Sequence, residues 1–466
     1  MAGLNGLINI ARDALTAQSY GLGVAGQNVS NANTPLYVRR EANIETRAFS
    51  GQSTGSVSAN GIRRAVDAYA DRRFFEANSH SGSAKQYDSE LQQIETLFND
   101  LGGTGLGSSL DAIFKSFQQL AARPNDTTVR AEVLDKVDVF TTRARQIGDT
   151  LSTQMTEMLA RARDIAAEAN GRASEIAQLN ARIVEARQSG QDAADLIDQR
   201  NSKLLGFSEL VDVRTIEGAD GAIMVQSSGT MLIEGSSART LSVSLDSAGK
   251  LQVLASRAGG AQPETDITAG LSGGKLAGIK QARDKALFDV SDRFNKFVFD
   301  VATAVNAQHQ QGVGLDGSTG LNIFDVGTSY EGAARAVKIS EDIFGRPQAL
   351  GASLDATNLP GGSDNAVLLG KLADVTNVFG NTRTTSQAYG DLVGEIGTAR
   401  ASAKAEVELR GNIFQQAQTT RDSASGVNLD EEMVSLQRYQ RAYEAAGKVI
   451  TTVDGLLEEL MAKVGR

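Results

Sequence analysis

The chain has 466 residues, about three times a typical domain of roughly 150, so more than one domain is expected. Its 46 basic and 56 acidic residues leave a net charge of −10, which argues against nucleic-acid or anionic-membrane binding through net electrostatics. The absence of Cys excludes disulfides, thiolate catalysis and Cys-ligated zinc, and the two histidines, His80 and His309, leave little room for histidine chemistry. Five prolines against 48 glycines permit long uninterrupted helices, and 41% apolar with 5% aromatic content predicts cores built mainly from Leu, Val, Ile and Ala. No stretch approaches the ~20 apolar residues of a membrane span, so membrane insertion is not expected. The N-terminus has no basic residue before Arg12 and lacks the layout of a cleavable signal peptide.

The first predicted element is a helix. Leu4, Ile8, Ala11, Leu15, Gln18, Leu22, Ala25 and Val29 alternate in spacings of four and three, the pattern of a coiled-coil seam with one polar member. Gly21, Gly23 and Gly26 each lower helicity by roughly 1 kcal/mol relative to Ala, so this helix is marginal in isolation. Asn28, Ser30, Asn31 and Asn33 compete with the backbone for hydrogen bonds and favour a helix end. Thr34, Pro35, Leu36 and Tyr37 read as a turn with Pro second, and Arg39 and Arg40 open an extended segment.

Residues 41–83 are mixed and polar, extended at 41–47 and Ser/Gly-rich at 49–61, where a loop or irregular hairpin is expected. A helix is predicted from Lys85 through Leu91, Ile94, Leu97 and Phe98 to Gly102. The glycine-rich run 102–107 raises the question of a phosphate loop, but no strand precedes it and no GK[ST] follows. A turn between helices, capped by Ser108 or Ser109, is the better reading. From Asn125 to Gln188 the apolar residues hold a helical period that would span ~95 Å if unbroken, with Gly171 the expected kink. After Leu210, short β-favouring runs separated by turns predict a small antiparallel domain. Helix returns over 272–312 with Leu276, Ile279, Phe294 and Phe297 on one face. Gly312 to Asp364 reads as irregular, and Ala366 to Thr419 as helical.

The last element mirrors the first. Leu429, Met433, Leu436, Tyr439, Tyr443, Ala446, Ile450, Val453, Leu457, Leu460 and Val464 form a second seam, whose consecutive threes at Leu436 and Tyr439 read as a stammer. Asn428 is positioned as its cap, and Asp430, Glu431 and Glu432 sit on the positive end of the macrodipole. Chain ends are ordinarily polar and frayed, whereas both ends here carry apolar seams that need a partner. They predict a terminal coiled coil with a surplus face for neighbouring copies, and disorder of both ends in a free copy.

The fold expected is therefore mainly α with an inserted β domain. A terminal α-helical coiled coil takes 1–40 and 425–466. A rod-like domain of long helices is built from the halves 41–208 and 275–424, with 312–364 an irregular insertion. A small antiparallel β domain occupies 209–274. His309 and His80 have no Cys or carboxylate at ligand spacing, and Asp316 and Asp325 lack the spacing of a calcium loop, so no catalytic residue, cofactor or metal is expected.

Asn33, Thr34, Pro35, Leu36 and Tyr37, followed by Val38 and Arg39, resemble the N-terminal signature of bacterial flagellar rod, hook and hook-associated proteins, an Asn-rich helix end followed by Asn-Thr-Pro-Gly-Tyr and a basic residue. Leu36 stands where that family has Gly. Because leucine disfavours positive φ, the turn is expected to be remodelled toward type I. Residues 425–461 resemble the C-terminus of the hook-associated protein 1 family, and the likeness continues through 108–134, 195–213 and 272–312. The resemblance implies a structural, non-enzymatic component of the bacterial flagellum at the junction of hook and filament. It implies that Leu4, Ile8, Leu15, Leu22 and Val29 serve assembly, that Asn28, Asn31, Asn33, Thr34, Pro35, Tyr37 and Arg39 carry the family motif, and that the C-terminal seam serves assembly and chaperone binding. The partners implied are the protein itself in a ring, hook protein, hook-associated protein 3, a cytoplasmic export chaperone and the flagellar export apparatus. The location implied is extracellular, reached without a cleaved signal peptide. Two alternatives stand beside it: another axial protein (hook, rod or filament subunit), or a peptidoglycan hydrolase, which predicts a concave acidic pocket holding a carboxylate of raised pKa.

Overall fold

The computed structural model describes residues 2–47, 55–98, 105–257 and 261–464. Helix α1 (Ala2–Asn31) leads through a turn into an antiparallel hairpin, β1 (Arg40–Arg47) and β2 (Ser56–Arg64), which packs alongside α1. The part of the predicted loop at 49–54 lies outside the described residues. Helix α2 (Ala68–Leu97) begins well before the predicted Lys85. Before Lys85 its buried residues are Phe74 and Phe75 together with Ala70, Ala77, Ser79, Ser81, Gly82 and Ala84, and two adjacent phenylalanines among small and partly polar residues give no apolar period to read. Asp67 caps it by accepting from the amides of Tyr69 and Ala70. Helix α3 (Leu106–Ala122) is capped at Gly105 without a side-chain bond, so Ser108 and Ser109 lie inside the helix rather than capping it. The run 99–104 before it lies outside the described residues.

Helix α4 (Thr127–Gln188) is the spine. Its 62 residues give ~93 Å at 1.5 Å per residue, and it passes Gly171 without a break. A turn then leads to α5 (Ala194–Leu210). The inserted strands β3 (Arg214–Glu217), β4 (Ile223–Ser227), β5 (Thr230–Glu234) and β6 (Ser237–Ala238) form one antiparallel sheet in that order. Strands β7 (Thr240–Leu245), β8 (Leu251–Arg257) and β9 (Ala261–Asp266) form a second. Both sheets are held on α4 by asparagines that mimic a neighbouring strand. Asn170 donates to the Leu241 carbonyl at 2.8 Å and accepts from its amide at 2.7 Å. Asn180 does the same to Ile223 at 2.8 and 3.0 Å and reaches the Gly235 carbonyl at 2.9 Å. The asparagine beside the expected kink thus fastens a sheet to a continuous helix.

The chain returns through α6 (Gly274–Gln281), a π-helical segment (Ala282–Leu287) and α7 (Phe288–His309). The wide turn aims Arg283 at the carbonyls of Met155 (3.1 Å) and Gly249 (2.9 Å), and Asp284 at the amide of Leu251 (3.0 Å), tying the second sheet to the body. Residues 312–364 hold only β10 (Phe324–Asp325), α8 (Ala333–Ala336), β11 (Lys338–Ile339) and short 3₁₀ turns, yet Ile323, Phe324, Val337, Ile343 and Leu350 are buried in the main core. Helix α9 (Asp364–Lys371) and α10 (Thr385–Ser425) are separate. The predicted 366–419 helix is broken at 372–384, where a capping box of Thr384 and Gln387 starts α10 afresh. The core leans on phenylalanine more than composition suggested, with Phe98 edge-on to Phe294 at 5.6 Å and Phe74 stacked on Phe414 at 5.3 Å. The second of these pairs joins α2 to α10, so the body is closed by residues more than 300 positions apart. Helix α11 (Leu429–Val464) follows a three-residue break after α10.

Candidate assembly site at the joined chain ends

Helices α1 and α11 pack on each other, antiparallel, within one chain. Two contacts fix the direction: Asn28 donates to Glu432 at 3.0 Å, and a Cβ placed on Gly21 would lie 2.7 Å from the Tyr439 ring. Of the predicted stripe, Ala11 and Ala25 are buried and Leu4, Ile8, Leu15, Gln18, Leu22 and Val29 are half-buried. Beside it Ala17, Gly21, Val24 and Asn28 are also buried, and Gly21 and Asn28 are the two seen to meet α11. Small residues let the bulky Tyr439 seat against the α1 backbone.

On α11 the inward line is a regular heptad, Glu432, Tyr439, Ala446 and Val453, with Glu432 2% and Val453 3% exposed and Tyr439 half-buried. Leu436, Ile450 and Leu457 flank it, half-buried. Met433, assigned to the seam from sequence, is 51% exposed, and Glu432 takes the inward position one residue earlier. With Glu432 in place the heptad needs no stammer. Leu429, Tyr443 and Leu460 of the predicted seam are also exposed, as are Val434, Val449, Leu456 and Met461. One helix thus carries a buried line and a large uncovered apolar surface.

The inward glutamate is explained by a polar joint. Glu432 accepts from Arg39 at 2.8 Å as well as from Asn28, while Arg39 also reaches Glu431 at 2.9 Å. Asn28, 1% exposed, uses its whole amide: it donates to the Arg40 carbonyl at 2.8 Å, and its oxygen accepts from the Arg40 amide and the Tyr37 hydroxyl, each at 3.0 Å. Arg40 lies 4.8 Å from the centre of the Tyr37 ring and binds Asp195 at 2.6 Å and Asp198 at 2.9 Å on α5; Arg64 binds Asp198 as well. Burial opposes charge on Arg40, but its bonds to Asp195 and Asp198 more than offset this and hold it above the ordinary arginine range. Burial also pushes the Tyr37 hydroxyl up. Asn31 donates to the Gln27 carbonyl at 3.0 Å and accepts from Thr34 at 3.2 Å, so these two motif residues shape the helix end, while Asn33 and Pro35 are exposed.

The turn itself departs from expectation. The Tyr37 amide donates to the Thr34 carbonyl at 3.2 Å, and Leu36 sits at φ +64°, the left-handed region of a type II turn. Leucine has not remodelled the turn toward type I; it occupies the position the family fills with Gly. The half-buried Leu36 side chain packs against the main core, and buried Arg421 binds the Leu36 carbonyl at 3.4 Å and Asp71 at 2.8 Å. These contacts offset the ~1–2 kcal/mol that left-handed backbone costs a non-glycine residue.

The chemical candidates lie elsewhere. His309 is buried, with Nδ1 2.7 Å from the Leu321 carbonyl and Nε2 accepting from the Gly351 amide at 2.8 Å, an arrangement that fixes a neutral ring, and burial lowers its pKa. His80 lines a polar cleft between α2 and α10 with Glu406 and Arg410. Asp316 is spent on Ser318 and Arg346, and Asp325 pairs with Lys338. Two carboxylates are raised mainly by burial: Asp71, paired with Arg421, and Asp212, which accepts from Ser227 at 2.5 Å. Neither lines that cleft, the apolar cleft of Leu91, Ile94 and Leu392, or the cleft beside the hairpin. Among the described residues no cluster suited to a metal ion occurs, and no helix is long and apolar enough to cross a membrane.

The end of α10 and nearly all of α11 carry a flagellar sequence pattern: a family model described as flagellar basal body rod FlgEFG protein C-terminal matches residues 418–462. The model of the flagellar hook-associated protein FlgK helical domain matches residues 91–324, half of the chain, and the chain belongs to that family. Flagellar hook-associated protein 1 of Bacillus subtilis is 25% identical, with 98% of each chain covered. The protein of that name from Salmonella typhimurium is 24% identical over 98% of this chain and 100% of its own. The flagellar hook junction protein FlgK from Burkholderia pseudomallei shares the fold, with a TM-score of 0.67 at 15% identity, covering 76% of this chain and 100% of that one. Family membership makes the chain a structural component that self-assembles into the flagellum.

Proposed function

We propose that the chain forms the junction between hook and filament, packing against copies of itself through α1 and α11 in a ring, with hook protein on one side and hook-associated protein 3 on the other. The observation that carries this reading is the uncovered apolar surface of α11, where Met433, Leu456 and Met461 are 51%, 49% and 74% exposed on a helix already seated on α1. Such a surface marks an interaction site, because water contact with it is relieved only by a partner. The terminal domain of 1–40 and 425–466 then lines the tube. The body, 41–208 with 275–424, surrounds it, and the β domain of 209–274 faces outward. Export from the cytoplasm runs through the flagellar export apparatus, and a dedicated chaperone with an apolar groove covers the α11 surface until then. The protein performs no catalysis in this role.

Deletion of residues 429–466 tests the reading. The truncated chain is expected to keep the helical circular dichroism of the body, whose core draws nothing from α11, and to lose both self-assembly and chaperone binding. A truncated chain that still assembles would refute it.

A further inference from the structure

The sequence holds three Asn–Gly pairs, Asn5–Gly6, Asn60–Gly61 and Asn170–Gly171. Such a pair is the least hindered setting for attack of a backbone amide on the preceding side-chain amide, because glycine puts no Cβ in the way. The first pair lies in α1 and the third in α4, where amide nitrogens are held in the helical ladder. Asn170 also has both ends of its side-chain amide bound to Leu241. Asn60–Gly61 sits differently. Ala42 pairs with Ile62 and Ile44 with Ala59, so the two residues together face Asn43 alone, in a bulge where the β1–β2 ladder is interrupted. Gly61 takes φ +102°, and nothing lies within 4 Å of the position a Cβ would occupy. Asn60 is exposed, and both residues line the open cleft beside the hairpin, so water reaches them. Ser58 donates to the Asn60 side-chain oxygen at 3.0 Å, where negative charge develops during attack, and the side-chain nitrogen donates to Glu45 at 2.7 Å.

We infer that Asn60–Gly61 is a site of spontaneous covalent modification, converting through a cyclic imide to aspartate and its β-linked isomer as the protein ages. Hydroxide removes the Gly61 amide proton, and the nitrogen attacks Asn60 Cγ. The Cγ–Nδ2 bond breaks, ammonia leaves with a proton from water, and a further water opens the ring at either carbonyl. The aspartate product sets a carboxylate against Glu45, where like charges repel, and the β-linked isomer lengthens the β2 backbone by a methylene. Either change loosens the hairpin, which packs on α1 and ties the joint through Arg64 and Asp198.

The test incubates the full-length chain in water labelled with heavy oxygen and maps its peptides by mass spectrometry. Asn60 should take up label at least ~10-fold faster than Asn170, which must wait for α4 to open. The rate should rise ~10-fold from about pH 7.5 to about pH 8.5, since the deprotonated amide is the nucleophile. Chromatography should separate aspartate and β-linked peptides of equal mass. Label at Asn60 no faster than at Asn170, or aspartate alone formed at a rate flat in pH, overturns the inference. Asn60→Asp isolates the effect of the charge: the amides of 56–64 should exchange ~5-fold faster than in the parent, and equal protection overturns the loosening of the hairpin.

Discussion

Asn28→Leu is the sharpest probe of the joint. The replacement is similar in size and apolar, so it removes four hydrogen bonds without opening a large cavity: two to the Arg40 backbone, one to Tyr37 and one to Glu432. The Arg40 amide and carbonyl are left buried beside leucine, and an unsatisfied buried polar group costs about 1–3 kcal/mol. Two such groups give roughly 3 kcal/mol after partial relaxation, or ~100-fold in the opening equilibrium of the terminal pair. Amide exchange on the full chain reads this directly. Residues 21–40 and 430–446 should exchange ~100-fold faster in the variant, while the α4 amides between Val133 and Ala144 stay unchanged. Asn33→Leu is the control, since Asn33 is an exposed motif residue, and it should exchange like the parent. Equal protection in the parent and Asn28→Leu would refute the claim that Asn28 holds the ends to the body.

Three further outcomes follow from the same geometry. Gly21→Ala should destabilise the terminal pair because its Cβ would lie 2.7 Å from the Tyr439 ring, whereas Gly26→Ala, with nothing within 4 Å, should gain about 0.5–1 kcal/mol of helix stability; thermal melts of the two should move in opposite directions. Leu36→Val, which puts a β-branched side chain at φ +64°, should cost about 1–2 kcal/mol in urea unfolding, while Leu36→Gly should stay within ~1 kcal/mol of the parent because relief of the backbone offsets lost packing. His309 is neutral when folded and its pKa lies below the ordinary 6.5, so its contribution is complete above that pH and is lost as pH falls below it, where only the unfolded chain takes up the proton. Urea midpoints between pH 7.5 and pH 5 should therefore fall less steeply for His309→Gln than for the parent, and identical slopes would contradict the assignment.

What could be read from sequence follows the size of the signal. The spine α4 and the strands were legible because valine, isoleucine and phenylalanine repeat at the helical period over 125–188, and the period changes to two after Leu210. The first half of α2 was not, because apart from Phe74 and Phe75 its buried residues are Ala, Ser and Gly, which pack closely without registering as an apolar period. At Glu432 the sequence misleads for a different reason. A glutamate reads as surface until Arg39 and Asn28, some 400 residues away in the chain, are seen to satisfy it. Leu36 is the converse case, where intrinsic preference was clear and the tertiary contacts of its side chain and carbonyl outweighed it.

The central claim is that the outward apolar surface of α11 is covered by neighbouring copies. Peroxide oxidation of methionine tests it most directly, because the rate follows solvent access and this helix carries Met433 and Met461, 51% and 74% exposed, while Met158 in the body core is fully buried and serves as the internal reference. Assembly should slow oxidation of Met433 and Met461 by at least ~10-fold and leave Met158 unchanged. Equal rates in the free and assembled chain would contradict the account.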